Sequence, residues 1–149
     1  MSDELEQDAP ALVAPLRPEE LDRLQALDPR ARATWMLEDV ARNEEAWALE
    51  NTEGWVVFQV ANAPQDSKPW ALPLWPRQEL AALAARDASE QPHRLTLDTL
   101  LEDLLPDVTD RAWNVMVCPN KDGGLVESAD GFAEALADAW TALAEEEDL

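Results

Sequence analysis

The chain has 149 residues and a mass of 16.6 kDa, and 46% of its residues are hydrophobic, which is typical of one globular domain. Its 32 acidic and 11 basic residues leave a net charge of −21, and this sign opposes general binding to nucleic acids and to anionic membranes. A single cysteine excludes an internal disulfide bond, and the lack of an apolar run of about 18 residues excludes a membrane-spanning helix.

The two ends of the chain are more acidic than its middle. Residues 1–16 contain four acids, two prolines and no basic side chain, and Glu145–Asp148 is an unbroken run of four acids. We expect solvated tails at 1–16 and 145–149 around a single domain at 17–144. The first ten residues have neither the basic region nor the apolar region of a secretory signal, so we expect a cytoplasmic protein of bacterial type.

Two helices are predicted at the start of this domain. Pro18 is followed by two acids and then by leucines three residues apart, and Asp28 stands before a proline as an N-cap. The pattern then changes to strand, turn and strand, at 46–50 and 55–61. Gly54 supplies the positive φ that the turn requires.

The middle of the chain continues with a strand at 70–75, after which Pro76 starts a helix. A short strand at 93–95 leads to Thr96, which is placed to cap a helix over Leu97–Leu105. The residues expected to face the core from these two helices are Leu80, Leu83, Ala84, Leu100, Leu101, Leu104 and Leu105.

The clearest strand pattern lies at 113–118, where we expect an interior strand, and a second strand follows at 125–127. Ser128 then caps a last helix. Its expected core face consists of Phe132, Leu136, Ala139, Trp140 and Leu143. Because strands occur both in neighbouring pairs and between helices, we predict an α+β fold, with a mainly antiparallel sheet of four to six strands packed with helices.

Several motifs follow one another over much of the chain: Glu45-Ala46-Trp47-Ala48-Leu49, Glu53-Gly54-Trp55, Leu72-Pro73-Leu74-Trp75-Pro76, Leu104-Leu105-Pro106, and Val115–Asn120 around Cys118-Pro119. In this order they resemble the bacterial "domain of unknown function 2750" family. The chain departs from the family at Cys118, where an aromatic residue is usual, and its first 30 or so residues look like an extension. The resemblance implies a small stand-alone domain with the predicted fold, and it brings no catalytic residue.

No metal or cofactor is expected. One histidine and one cysteine do not make a zinc site of the usual type, and no calcium-binding loop is present. The four glycines form neither of the common phosphate-binding loops.

Two sets of residues have both a chemical and a structural interpretation. Cys118 and His93 are the candidates for a nucleophile and its base, but we favour a core cysteine and a surface histidine, so no catalytic residue is predicted. The strand tryptophans are candidates for a ligand-binding box, and we favour core packing with one of them exposed at a partner interface.

The most unusual acids are four near the predicted end of the Leu97–Leu105 helix: Glu102, Asp103, Asp107 and Asp110. Acids at a helix C-terminus oppose the macrodipole and cost about 0.3–1 kcal/mol each at low salt. Such local conflicts tend to mark functional surfaces. We therefore assign these residues to a partner-binding surface, the alternative being an ordinary solvated surface of an acidic or salt-adapted protein.

Three functions fit these observations. The first is an acidic cytoplasmic binding protein, an inhibitor that docks or neutralises a basic protein partner, with an immunity protein for a cationic toxin as its concrete form. The second is a small enzyme that uses Glu79 or Asp98 for acid–base chemistry, which requires a pocket and a carboxylate of raised pKa. The third is a housekeeping interaction module. None of them predicts a nucleic-acid or membrane partner.

Overall fold

The computed structural model describes residues 16–60 and 67–147, and within these ranges it contains six α-helices, one π-helical turn and seven strands. The first half contains α1 (Pro18–Ala26), α2 (Pro29–Asn43), β1 (Glu45–Asn51), β2 (Gly54–Trp55), β3 (Phe58–Gln59), β4 (Trp70–Leu74) and α3 (Gln78–Ala84). The second half contains β5 (Gln91–Thr96), α4 (Leu97–Thr99), a π-helical turn (Leu100–Leu104), α5 (Leu105–Asp110), β6 (Asn114–Asn120), β7 (Gly123–Glu127) and α6 (Ala129–Glu147).

The strands form two sheets. The first has the order β2-β1-β5 and is antiparallel, and the second has the order β3-β4-β6-β7 with one parallel pair, β4 and β6. Trp47 and Trp75 join the sheets through two backbone hydrogen bonds of 2.7 and 2.9 Å. The α+β prediction is therefore confirmed, and most strand pairs are antiparallel, although the strands are divided between two sheets.

The predicted interior strand is confirmed as β6, which lies between β4 and β7 and is buried from Asn114 to Pro119. Its pairing with β7 shifts register between Val117 and Asn120, and Cys118 there has a φ of 46°. A Cβ atom at Gly124 would stand 2.9 Å from the Pro119 Cα, so this close approach of the two strands requires glycine.

Three predicted N-caps are also confirmed. The Asp28 carboxylate accepts the Ala31 N–H at 2.8 Å at the start of α2, and Thr96 accepts the Thr99 N–H at 3.2 Å at the start of α4. Ser128 accepts the Gly131 N–H at 3.0 Å before α6. Each side chain satisfies a backbone donor that has no partner within its own helix.

Buried charges tie α2 to the rest of the core. Arg32, which is 3% exposed, donates to the carbonyl oxygens of Leu27 at 2.6 Å, of Cys118 at 2.9 Å and of Gly123 at 2.8 Å. Asp39 accepts two hydrogen bonds from Arg77, at 2.7 and 3.0 Å. These contacts connect α2 to the β6–β7 hairpin and to the residue that precedes α3.

The predicted end of the helix at Leu105 is wrong, because helical structure continues to Asp110. A proline inside a helix removes one backbone hydrogen bond and crowds the preceding turn. Here the chain widens into a π-helical turn directly before Pro106, with the Leu105 N–H bonded to the Leu100 carbonyl, and then passes the proline. Glu102 and Asp103 therefore lie in the middle of a longer helical segment.

Other predictions need smaller corrections. Leu83 and Trp140 were expected to face the core but are 64% and 44% exposed. The predicted strand at 55–61 is divided into β2 and β3, which belong to different sheets, and its last residue lies outside the described residues.

A few residues of the two predicted tails lie within the described structure. Leu16 is buried, and α6 continues through Glu147, which places three residues of the predicted C-terminal tail in a helix. The rest of both predicted tails, residues 1–15 and 148–149, lies outside the described residues. Within the described ranges, no helix combines the length and the apolar character needed to cross a bilayer.

Candidate functional site

All four acids predicted to bind a partner line one open groove of about 520 Å³. Its first wall is the helical segment from Thr99 to Asp110, which presents Glu102, Asp103, Asp107 and Asp110. Its second wall is the three-stranded sheet, which presents Trp55, His93 and Leu95. We call this concavity the acidic groove.

The sheet wall follows from strand register. His93 of β5 lies opposite Ala48 of β1, and Trp55 of β2 lies opposite Glu50 of β1. Positions 48 and 50 share a face of β1 because side chains alternate along a strand, so their cross-strand partners share that face as well. The two rings consequently meet edge to face, with centroids 5.0 Å apart and planes at 88°.

His93 also faces an acid. Its Nδ1 atom is 3.5 Å from the Glu50 Oε1 atom, and the side chains of both residues are nearly half exposed. The ring and polar contacts of His93 are thus with Trp55 and Glu50, and none of those described is with Cys118.

The four acids differ in their local partners. Asp107 accepts a hydrogen bond from Arg111 at 2.8 Å, and both of these side chains are about half exposed. Within residues 16–60 and 67–147, no basic side chain forms an ion pair with Glu102, Asp103 or Asp110. These three carboxylates are exposed at the groove.

Carboxylates beside an accessible tryptophan suit the recognition of cationic side chains. A guanidinium group binds carboxylates through paired hydrogen bonds, and a cation over an aromatic face gains about 0.5–1 kcal/mol at exposed sites. In the part of the chain that the structure describes, no group of three or more histidine, cysteine, aspartate or glutamate side chains is arranged to hold a metal ion. The acids line the groove without converging on a point.

The other sequence candidates have different surroundings. Cys118 is 2% exposed, and burial raises the pKa of its thiol to about 12. Glu79 accepts the Leu16 N–H at 2.6 Å, and Asp98 is exposed in the first turn of α4. Neither Glu79 nor Asp98 lines the acidic groove.

Among the described residues, three carboxyl groups have a pKa that is shifted from its ordinary value, and in all three the shift is downward. Hydrogen bonds from Arg17, Ser89 and Arg86 respectively hold the pKa of Glu20, Asp87 and Glu90 below the ordinary range. An acid catalyst needs the opposite displacement.

Sequence reasoning identified the acids of the groove but missed its aromatic wall. Trp55 was interpreted as a strand tryptophan and His93 as a surface residue, and nothing in the local pattern places them together. The side chains of β2 and β5 alternate between the two faces of the sheet in step with those of β1. This alternation shows that Trp55 and His93 share a face only once the strand register is known.

Residues 33–136 match the family described as "Protein of unknown function (DUF2750)", and because this covers most of the chain, the chain belongs to that family. The match confirms the resemblance read from the sequence, and it begins after α1, as expected for an N-terminal extension. It includes both walls of the acidic groove. No curated protein and no solved structure matches the chain.

Proposed function

We propose that this chain is a cytoplasmic binding protein that docks a basic segment of a partner protein in the acidic groove. The observation that carries the proposal is that one concavity is lined by Glu102, Asp103, Asp107 and Asp110 and also presents Trp55. Four scattered acids would be expected on any protein with a charge of −21, whereas this groove combines them with an aromatic surface.

The free groove is electrostatically unfavourable, and a cationic partner relieves this. Asp110 is the last residue of α5, where the helix dipole disfavours negative charge by about 0.3–1 kcal/mol. Three of the four acids have no described cation to offset their mutual repulsion. A lysine or arginine of the partner would neutralise both effects and would contact the tryptophan ring.

Contacts between these acids and a basic partner should increase the association rate more than the affinity. Exposed charge pairs contribute little affinity, about 0–1 kcal/mol each, but a concentrated negative surface steers a cationic partner during its approach. An immunity protein that occludes the basic cleft of a toxin needs rapid capture of this kind. We therefore propose immunity against a cationic toxin as the specific form of the function.

The proposal is tested with two variants that carry the same net charge. The groove variant combines Glu102→Gln, Asp103→Asn, Asp107→Asn and Asp110→Asn. The control variant neutralises one glutamate and three aspartates that are exposed outside the groove: Asp22→Asn, Asp122→Asn, Glu134→Gln and Asp138→Asn. Wild type and both variants are used to capture proteins from a lysate of the native cell, and the captured partner is then purified for stopped-flow association measurements.

We expect the groove variant to associate about 10-fold more slowly than the control variant at low salt. The difference should shrink as salt approaches about 1 M, where the Debye length is about 3 Å. Equal association rates for the two variants would show that net charge alone, and not the groove, attracts the partner, and the proposal would then be wrong.

A further inference from the structure

A second concavity, of about 750 Å³, lies between α3, β3 and the β6–β7 hairpin, and we call it the apolar groove. Leu83 is 64% exposed and Trp70 is 39% exposed, so two large apolar side chains stand uncovered at one site. An apolar concavity of this size on a highly charged chain is typical of a binding surface. The larger apolar side chains that line it are Val57, Phe58, Trp70, Leu80, Leu83 and Met116.

One rim of the apolar groove is the open edge of the four-stranded sheet. β3 is the last strand of this sheet, and its strand partner in the described structure is β4. The Val60 N–H donates to the Pro69 carbonyl at 2.9 Å, which makes these two residues a hydrogen-bonded pair of the ladder. Because such pairs alternate along antiparallel strands, Phe58 bonds to β4, whereas the N–H and carbonyl groups of Gln59 point away from it. Gln59 is exposed and lines the apolar groove.

This edge lacks the usual protection against further pairing. Exposed edge strands commonly carry prolines or charged side chains, which discourage the addition of another strand. β5, an edge strand of the other sheet, contains Pro92 and Arg94. The sequence Val57-Phe58-Gln59 contains neither a proline nor a charge. An unprotected sheet edge beside an apolar concavity is suited to accept an extended segment as an additional strand.

The charge of the apolar groove favours an acidic segment over a basic one. No carboxylate is found among the described residues that line it, although the whole chain has 32 acids. The two charged residues of the lining are basic, and one of them, Arg86, is already paired with the buried Glu90 at 2.9 Å. The other, Lys121, is exposed and forms no ion pair within residues 16–60 and 67–147. Lys121 is therefore the cation available to an occupant.

The wall beside β3 is held in place before anything binds. The ring of Phe58 packs edge to face on Trp75, with centroids 6.4 Å apart, and the Arg86 guanidinium lies 5.5 Å from its centre. Glu90 in turn fixes Arg86. A wall that is already ordered lowers the conformational entropy lost on binding.

We propose that the apolar groove binds an extended, acidic segment of another protein, which joins the sheet as a strand beside β3. The main chain of the segment pairs with Gln59, its apolar side chains cover Leu83 and Trp70, and one of its acids contacts Lys121. A second copy of this chain is a poorer occupant, because two molecules with a charge of −21 each repel one another. The charge of this segment is opposite to that of the partner proposed for the acidic groove, so the two proposals stand independently.

The test begins with a selection of peptides on the full chain. A random library of linear peptides of about eight residues, long enough to form a strand, is displayed on phage, and the enriched peptides are synthesised with a fluorophore for polarisation measurements. Each peptide is also made in two N-methylated forms, with methyl groups on the amides of either its odd or its even residues. The N–H groups of a strand point alternately to its two edges, so only one form keeps the donors that face β3. This comparison uses the wild-type protein and depends on no variant.

Three variants then locate the binding site. Gln59→Pro removes the outward-facing N–H and leaves the hydrogen bonds from β3 to β4 in place. Lys121→Glu reverses the charge of the available cation. Lys68→Glu is its matched control, because Lys68 is exposed and does not line the apolar groove.

We expect the enriched peptides to alternate apolar residues with others and to carry an acid. One N-methylated form should bind about as well as its parent peptide, and the other about 10-fold more weakly, as expected when hydrogen bonds to the edge are lost. Gln59→Pro should also weaken binding by about 10-fold. Lys121→Glu should weaken it by at least 3-fold, and Lys68→Glu by less than 2-fold.

Several results would overturn the proposal. A selection without enrichment, or one that enriches basic peptides, would show that the groove does not bind a segment of this chemistry. Equal binding of the two N-methylated forms, or unchanged binding by folded Gln59→Pro, would show that no strand is added beside β3. Equal losses in Lys121→Glu and Lys68→Glu would show that net charge alone acts on the peptide.

Discussion

Arg32→Met is expected to destabilise the protein more than any comparable change on the exposed face of α2. The side chain is almost completely buried, and its three donors bind carbonyl oxygens of α1's C-terminal neighbour Leu27 and of the β6–β7 hairpin. Methionine keeps most of the apolar stem but donates no hydrogen bond. Three carbonyl oxygens, of which that of Cys118 is buried and the other two are partly buried, thereby lose a partner at once.

The magnitude follows from opposing contributions. Each hydrogen bond to a charged group contributes about 1.5–3 kcal/mol to stability, and burial of a guanidinium costs several kcal/mol, which the substitution recovers. We therefore expect a net loss of about 3 kcal/mol in the free energy of unfolding. For a chain of this length, that corresponds to a fall of about 6–12 °C in Tm.

Urea denaturation followed by tryptophan fluorescence measures this loss, with Arg30→Met as the matched control. Arg30 lies on the same helix and is exposed, so its substitution should change stability by less than about 0.5 kcal/mol. Arg32→Lys should fall between wild type and Arg32→Met, because an ammonium group keeps the charge but does not reproduce the planar fork of donors. If Arg32→Met and Arg30→Met unfold at the same urea concentration, the three hydrogen bonds do not stabilise the fold and this reasoning is refuted.

Two further predictions concern buried groups. Asp39→Asn should lower the free energy of unfolding by about 3 kcal/mol, because it replaces the buried carboxylate that accepts two hydrogen bonds from Arg77. Glu38→Gln on the exposed face of the same helix should change it by less than about 0.5 kcal/mol in the same denaturation assay. Burial raises the pKa of the Cys118 thiol from an ordinary value of 9.0 to about 12. The native state therefore holds the thiol proton more tightly than the unfolded state does. The free energy of unfolding should consequently fall as pH rises from about 9 towards 12. Cys118→Ala should lack this component of the alkaline decrease, and a melting series in which both proteins lose stability equally above pH 9 would contradict the assignment.

A structural feature can be predicted from the sequence when the residues that cause it are close together in the chain. The N-caps at Asp28, Thr96 and Ser128 were predicted correctly, because a cap is a contact between residues three apart and its whole cause lies in the sequence. The interior strand β6 was also predicted correctly, since apolar residues on both of its faces require cover on both sides.

Predictions failed where a neighbour in space decides the outcome. Leu83 fits the apolar pattern of α3, yet the structure leaves it uncovered, because which face of a short helix is packed depends on the elements around it. The stop expected near Pro106 failed because a π-helical turn accommodates the proline, and the spacing of the leucines does not reveal this.

For the candidate site, the sequence by itself identified the four acids as a cluster, because they lie close together along the chain, although the longer helical segment leaves Glu102 and Asp103 away from its end. Only the tertiary structure placed them opposite Trp55 and His93, since that arrangement requires β1 to pair with β2 on one edge and with β5 on the other. Strand pairing joins residues that are far apart in the sequence, such as Ala48 and His93, which are 45 positions apart, and its register is set by side-chain packing across the sheet. The charge of the groove thus follows from the sequence alone, whereas its shape depends on how the chain folds.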